Sequence, residues 1–360
     1  MATTFTTLTS DITKPVNVIF QTTLLETAKA LCPYFAGTVA AEVQQHGGTL
    51  TAAWRRIENL TPTTTALSEL TSTVTFMGGR STEVPSKTDV TAAVAKYGQF
   101  IVLNEQVDLV NFNGMTDDLM KKLGISAGRS LNQLQRNEME DNSTILRAGG
   151  AASDGTLNSK VTTTVLALAV NDLSRNDAQS FLPESDGSTN IGTVPILEGF
   201  YGACHPDAAY DIAQLTGFVS VEKYAGQVQT MQGEFGLFPV AGKSIRFVQT
   251  SDASIDTNTG ATTGSSGFRS SSTKNDLYDI VVWGEDAVGS VGFGFEHIKD
   301  IYRAGDTLPA VQVITHARGT SGIADPLDEM STMGWKSWHA AKILNTNWIY
   351  SVRVAATKLS

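Results

Sequence analysis

The sequence predicts an α+β fold rich in strands, and three observations carry that expectation. The chain of 360 residues is 41% hydrophobic but only 17% charged, below the roughly 25% charge of ordinary soluble domains. Threonine and glycine fill the difference, the first favouring strands and the second turns. Short period-two stretches recur, and among them lies one long amphipathic helix that starts at Thr116 and runs to about Ala148. A hydrophobic fraction of this size supplies a real core and excludes global disorder. The length suits one large domain or two ordinary ones.

Pro15 opens a first helix, in which Val16, Phe20, Leu24, Ala28 and Leu31 recur at helical spacing until Pro33 stops it. From Gly47 to Ala95 the character changes. Thr49 to Arg56 reads as a strand, and Val90, Ala92 and Val94 alternate as a second. Polar turns lie between them at Pro62, Gly78-Gly79 and Pro85. A segment this long with so few large apolar residues cannot bury itself, and an isolated hairpin is marginal in water. It reads as a two-stranded arm that orders against a neighbour.

Lys96 to Val110 reads as a strand. Thr116 then serves as N-cap, Asp117 and Asp118 suit the helix dipole, and Leu119, Leu123, Ala127, Leu131 and Leu134 descend one face. To Ala148 this helix is about 50 Å long. Gly124 and Gly128 each cost about 1 kcal/mol against alanine in a helix, which a close backbone approach on that face would explain. Gly149-Gly150 ends the helix.

The second half alternates elements. Thr162 to Leu173 reads as a helix, Glu184 to Asn190 as a polar loop, and Val194 to Leu197 as a strand. His205-Pro206-Asp207 opens another helix. Ser251 to Lys274 has almost no apolar residue and reads as a surface excursion held by contacts, with other subunits as candidates. Trp348, Tyr350, Val352 and Val354 share one face of a final strand, with Ser351 and Arg353 on the other. There is no internal repeat.

A net charge of −10 and a pI near 5 exclude a tight grip on nucleic acid, which needs clustered cations. Only pairs such as Arg55-Arg56 and Lys121-Lys122 occur. A wall that merely contains DNA is compatible with this charge. Cys32 and Cys204 form neither a disulfide framework nor a metal spacing and read as small buried side chains. Met1 to Ser10 shows no signal peptide, and the longest apolar run, Val165 to Val170, is far too short to span a bilayer. The expected site of synthesis and use is the cytosol, with no membrane partner.

Motifs for chemistry are missing. No phosphate-binding loop or nucleophile elbow occurs, and Gly289, Gly292 and Gly294 read as turn and strand glycines. None of the five histidines has metal-ligand spacing. His205 with Asp207 reads as a helix start, and Glu138, Glu140 and Asp141 read as a solvated helix face. Trp335, Trp338 and Trp348 read as core or interface anchors. No catalytic, cofactor-binding or metal residue is assigned, and no enzyme is expected.

A series of pieces in order carries a resemblance. They are Trp54-Arg55-Arg56 with Leu60 and Leu67-Ser68-Glu69, Lys96 to Phe100 with Leu103, and HPDAAYDI at 205–212. KYAG (223–226), GEFG (233–236) and IRFVQT (245–250) follow, and last comes DPLDEMSTMGWKSWHAAKILNTNWI at 325–349. Together they resemble the major capsid proteins of tailed bacteriophages, and within these the family typified by the coliphage named N-four.

The resemblance implies a Hong Kong 97-like α+β capsid fold. Its map would place an N-terminal arm at 1–46, an extended β-hairpin loop at 47–95, and a peripheral domain at 96–160 with spine helix 116–148. An axial domain would occupy 161–295, with polar surface loops at 184–190 and 251–274 where a decoration protein could sit, and 296–360 would return to the peripheral domain. The implied function is self-assembly into hexamers and pentamers of an icosahedral shell around double-stranded DNA, in the virion. Portal protein and a separate scaffolding protein are the implied partners, with weak contact to the packaged DNA. Trp54, Arg55, Arg56, Arg80 and Lys87 are the expected subunit-interface residues; covalent crosslinking through Lys87 is not expected. Two other readings stay open, an encapsulin-like compartment shell and a Thr/Gly-rich phage tail or adhesion protein, although the long helix fits the latter poorly.

Overall fold

In the computed structural model the described residues are 32–44, 49–58, 60–62, 64, 84–110, 115–181, 198–224, 233–262, 267–294, 301–302, 311–316, 318, 326–327 and 329–359. The expected helix before Pro33, the polar loop 184–190, the strand 194–197 and Arg80 lie outside them.

A 3-10 turn at Pro33–Phe35 leads into β1 (Val39–Gln44), followed by β2 (Thr51–Ile57), β3 (Lys87–Ala93) and β4 (Ala95–Asn104). Two helices come next, α1 (Glu105–Val110) and α2 (Met115–Asp141), then β5 (Thr144–Arg147) and α3 (Thr163–Arg175). After β6 (Gly199–Cys204) and α4 (Pro206–Ala213) come β7 (Val219–Ser220), β8 (Glu234–Val240), β9 (Lys243–Gln249) and β10 (Ile255–Asp256). The chain finishes with β11 (Leu277–Trp283), β12 (Val288–Gly294), β13 (Ile301–Tyr302), β14 (Val311–His316), β15 (Met330–Ile343) and β16 (Ile349–Ala355).

These strands make two sheets and a hairpin. The first sheet is built around β15, which pairs antiparallel with β4 from Met330↔Asn104 to His339↔Ala95. β14 and β12 also pair with β15, one after the other. β1 runs parallel to β12, and β13 pairs with β14. The second sheet has the order β5-β16-β11-β6-β9-β8-β7, with β10 also pairing with β11. β2 and β3 form an antiparallel hairpin of seven residue pairs, as the alternation in the sequence predicted.

The long helix connects the two sheets. Met120, Leu123, Ala127 and Leu131 of α2 pack on Leu103, Val313, Met333 and Trp335 of the first sheet. Near its C-terminus Met139, fully buried, joins Tyr34, Tyr201, Trp283 and Ile349 against the second. Cys32 Sγ donates to the Gly128 carbonyl of α2 at 3.4 Å. α3 and α4 cover the opposite face of the second sheet with Leu166, Ala169, Leu173, Ala208 and Ile212. That sheet is therefore buried on both faces, and β11 (LYDIVVW) is buried at every position.

Several expectations need correction. The helix starting near Thr116 begins at Met115 and stops at Asp141, not Ala148. Thr144-Ile145-Leu146-Arg147 instead pairs parallel with Tyr350 to Arg353. Gly149 and Gly150, with φ of 67° and 69°, turn the chain after that strand rather than ending the helix. The strand from Lys96 gives way to a helix at Glu105, where Asn104 Oδ1 accepts from Gln106 N at 3.1 Å and caps it.

β12, inside 161–295, lies in the first sheet, and β16, inside 296–360, lies in the second. Both faces of β16 are covered, Ser351 included. Described residues of the polar stretch from Ser251 to Lys274 bond to other parts of their own chain. Asp252 is buried and receives Arg129 Nε at 2.7 Å, with Asn132 and Gln133 alongside. Lys274 N donates to Asn258 Oδ1, and Phe268 bridges Thr357.

Candidate functional site: the assembly surfaces

The tempting catalytic pair is fully engaged in structure. His205 Nδ1 accepts the Asp207 backbone N–H at 3.2 Å and caps α4. The Asp207 carboxylate accepts the Tyr278 hydroxyl at 3.0 Å and pairs with Arg269 at 3.0 Å. Burial holds His205 below the ordinary imidazole value, so it stays neutral as a cap. His205→Ala is expected to lower stability by about 1 kcal/mol through loss of the cap, as read from urea midpoints.

Burial pushes the Cys32 thiol up to about 12 and also raises Cys204, so neither is a ready nucleophile. Among the described residues no three His, Cys, Asp or Glu side chains gather as a metal site. Two buried cation clusters are structural. Arg353 on β16 forks onto Asp279 at 2.9 and 2.7 Å and reaches Asp154 at 2.9 Å. Arg246 lies 3.6 Å from Glu234, beside the rings of Phe181 and Tyr224.

What remains is surface that needs covering. The hairpin exposes Leu50 (50%), Ile57 (61%), Leu60 (55%) and Val84 (85%). Its base is fixed to its own chain. The Trp54 ring sits against Gly289, where an added Cβ would come within 2.5 Å of it. Val43, Ala52, Ala92, Val94 and Val291 complete that cluster. Arg56 donates to the Leu344 carbonyl at 3.1 Å and to Glu58 at 2.9 and 2.7 Å.

Arg55 and Asp89 pair across the hairpin at 2.8 and 3.0 Å in solvent. The Arg55 hydrogen bonds hold Asp89 below the usual carboxylate range. Lys87 is exposed at the far end of β3. The structure thus turns Trp54 and Arg56 inward as anchors and leaves Arg55 and Lys87 facing solvent. Arg80 lies outside the described residues.

A second surface was not foreseen. β4 pairs with β15 along one edge and with no other described strand. Ile101 and Leu103 face α2, whereas Phe100 (71% exposed) and Val102 point away. Phe100 faces an open groove of about 590 Å³, lined also by Lys96, Ile314, Thr332 and Lys336. Val107 and Leu109 of α1 extend the exposed apolar residues beyond the end of this strand. An unpaired edge with outward apolar residues invites pairing with another chain. The sequence signal was the unbroken run Phe100-Ile101-Val102-Leu103, apolar on both faces of one strand.

The expected solvated face at Glu138, Glu140 and Asp141 holds only for Asp141. Glu138 is half-buried and pairs with Lys342 at 3.0 Å, and Glu140 is 5% exposed.

No protein-family model matches the chain, and no curated protein matches it. Solved structures do. The capsid of Ralstonia phage GP4 superposes with a TM-score of 0.59 at 9% identity, covering 91% of this chain and 89% of that one. The capsid of the cyanophage P-SCSP1u gives 0.53 at 14% identity, over 89% and 87%. The head structure of Helicobacter pylori bacteriophage KHP40 gives 0.52 at 8% identity, over 90% of each. At these identities the likeness is one of fold, and along nearly its whole length this chain has the Hong Kong 97-like α+β fold of phage capsid structures.

Proposed function

We propose that the chain is the major capsid protein of a tailed bacteriophage, a subunit that assembles as hexamers and pentamers into an icosahedral shell around double-stranded DNA. The observation that carries this reading is the end-to-end likeness of fold to phage capsids, combined with an arm and a sheet edge that leave apolar residues uncovered in the single chain. The N-four-type assignment rests on the sequence pieces alone.

In this reading residues 1–46 are the N-terminal arm and 47–95 the extended loop, which lies over the adjacent subunit. α2 is the spine of the peripheral domain, and the second sheet with α3 and α4 is the axial domain. Ile57, Leu60 and Val84 then bury against the neighbour, with Arg55 and Lys87 supplying polar contacts at the rim. The net charge of −10 keeps contact with packaged DNA weak and non-specific. A portal protein, a separate scaffolding protein and a decoration protein over the outer loops are the proposed partners. The subunit carries out no catalysis, is assembled in the host cytoplasm and works in the virion. No described helix is long and apolar enough to cross a membrane.

Sedimentation of the purified chain tests the reading. The expected result is a fast-sedimenting, shell-sized species that returns to subunits in denaturant. A subunit that stays monomeric at high concentration, with scaffolding protein supplied, contradicts it.

A further inference from the structure

We propose that Glu140 is a proton-operated latch between the C-terminal end of α2 and the second sheet, closed when its carboxyl is neutral and loosened when it is ionised. The residue sits one position before the end of α2 and is 5% exposed, at the place where this helix packs against β11 and β16. Its Oε1 has no hydrogen-bond partner, and neither does the fully buried Tyr34 hydroxyl.

The groups facing Glu140 come from every element around it. Arg136, one turn back on α2, approaches Oε2 at 3.3 Å. That guanidinium is shared, since it also donates to the Asp252 carbonyl and to Asn137 Oδ1. Ser254 hydrogen-bonds the carboxyl from the 251–254 segment. Asp279 of β11 adds a like charge, itself held by Arg353 of β16. Tyr34 approaches from the 3-10 turn at Pro33–Phe35.

Glu140 is thus a buried carboxyl whose ion-pair partner, Arg136, is shared with other acceptors, and a proton on it relieves the buried charge. Burial, assisted by Asp279, pushes its carboxyl up to about 7 despite Ser254 and Arg136. A proton on the carboxyl removes the buried charge that Asp279 opposes. The sign follows from linkage. The folded value lies above the ordinary carboxylate value, so the folded state takes up a proton that the unfolded chain does not. Stability at this joint is lowest above pH 7, grows as pH falls through 7, and is complete below the ordinary carboxylate value.

Hydrogen exchange on the full chain, corrected for intrinsic rates, tests this. Protection of the backbone amides at the end of α2 and in β5 should rise by roughly 100-fold from pH 8 to pH 5. Glu140→Gln should be strongly protected and flat across that range. A flat wild-type profile, or a slope that survives in Glu140→Gln, overturns the proposal. Should the variant fail to fold, infrared spectra of wild type labelled at glutamate decide. A buried protonated carboxyl at pH 6, lost by pH 8, supports the latch, and its absence at pH 6 refutes it. The latch belongs to the folded subunit, so its failure would leave the shell reading standing.

Discussion

Deleting residues 60–85 and joining β2 to β3 through a short turn is expected to give a folded subunit that makes no shells. The fold survives because the base of the hairpin is held from elsewhere. Trp54 packs on Gly289, and Arg56 bonds the Leu344 carbonyl 288 residues away. None of these groups is removed. The deletion does take away Leu60, at 55% exposure, and Val84, at 85%. Burying side chains of this kind contributes about 1.5–3 kcal/mol each. That loss repeats at every copy of the interface in a closed assembly. Sedimentation should show the assembled fraction falling by at least about 100-fold, with circular dichroism and the urea midpoint nearly unchanged. Normal particles from the deleted chain would show that this arm does not link subunits.

Arg353→Met is expected to be the most damaging single change in the second sheet. The guanidinium holds Asp279, whose side chain is only 3% exposed, through two bonds of 2.9 and 2.7 Å. It also reaches Asp154 at 2.9 Å and Asp256 at 3.2 Å, tying β16 to β11, β10 and the 3-10 turn at Asp154–Thr156. A methionine fills similar volume but leaves Asp279 buried without its partner. Removing one member of a buried pair costs about 3–5 kcal/mol. The fall in the urea midpoint measures it, and adding Asp279→Asn should recover part of the loss. A loss below about 1 kcal/mol would show that the network contributes little.

The parts of the fold legible in the sequence were those set by local pattern. Leu119, Leu123, Ala127 and Leu131 mark the buried stripe of α2, and His205-Pro206-Asp207 is a helix start by chemistry alone. Alternation from Thr51 and toward Ala93 announced the hairpin. What failed depended on distant partners. Thr144 to Arg147 becomes a strand because β16, two hundred residues later in the chain, supplies its ladder. Nothing in the local sequence opposes continuing the helix to Gly149 except Asn142-Ser143.

The candidate site was half legible for the same reason. Trp54 and Arg56 stood out as unusual in a Thr-rich segment, but their partners Gly289 and Leu344 lie far along the chain and make them anchors. The outward aim of Phe100 was hidden because all four residues of its run are apolar. Glu140 looked solvated beside Glu138 and Asp141, and only the approach of Ser254 and Tyr34 reveals that it is enclosed.

Electron microscopy of the purified protein tests the central claim most directly. The account predicts closed icosahedral shells, or rings of five and six subunits, from the intact chain with scaffolding protein supplied. A uniform field of isolated subunits under those conditions, or subunits that bind and turn over a small molecule, would contradict it.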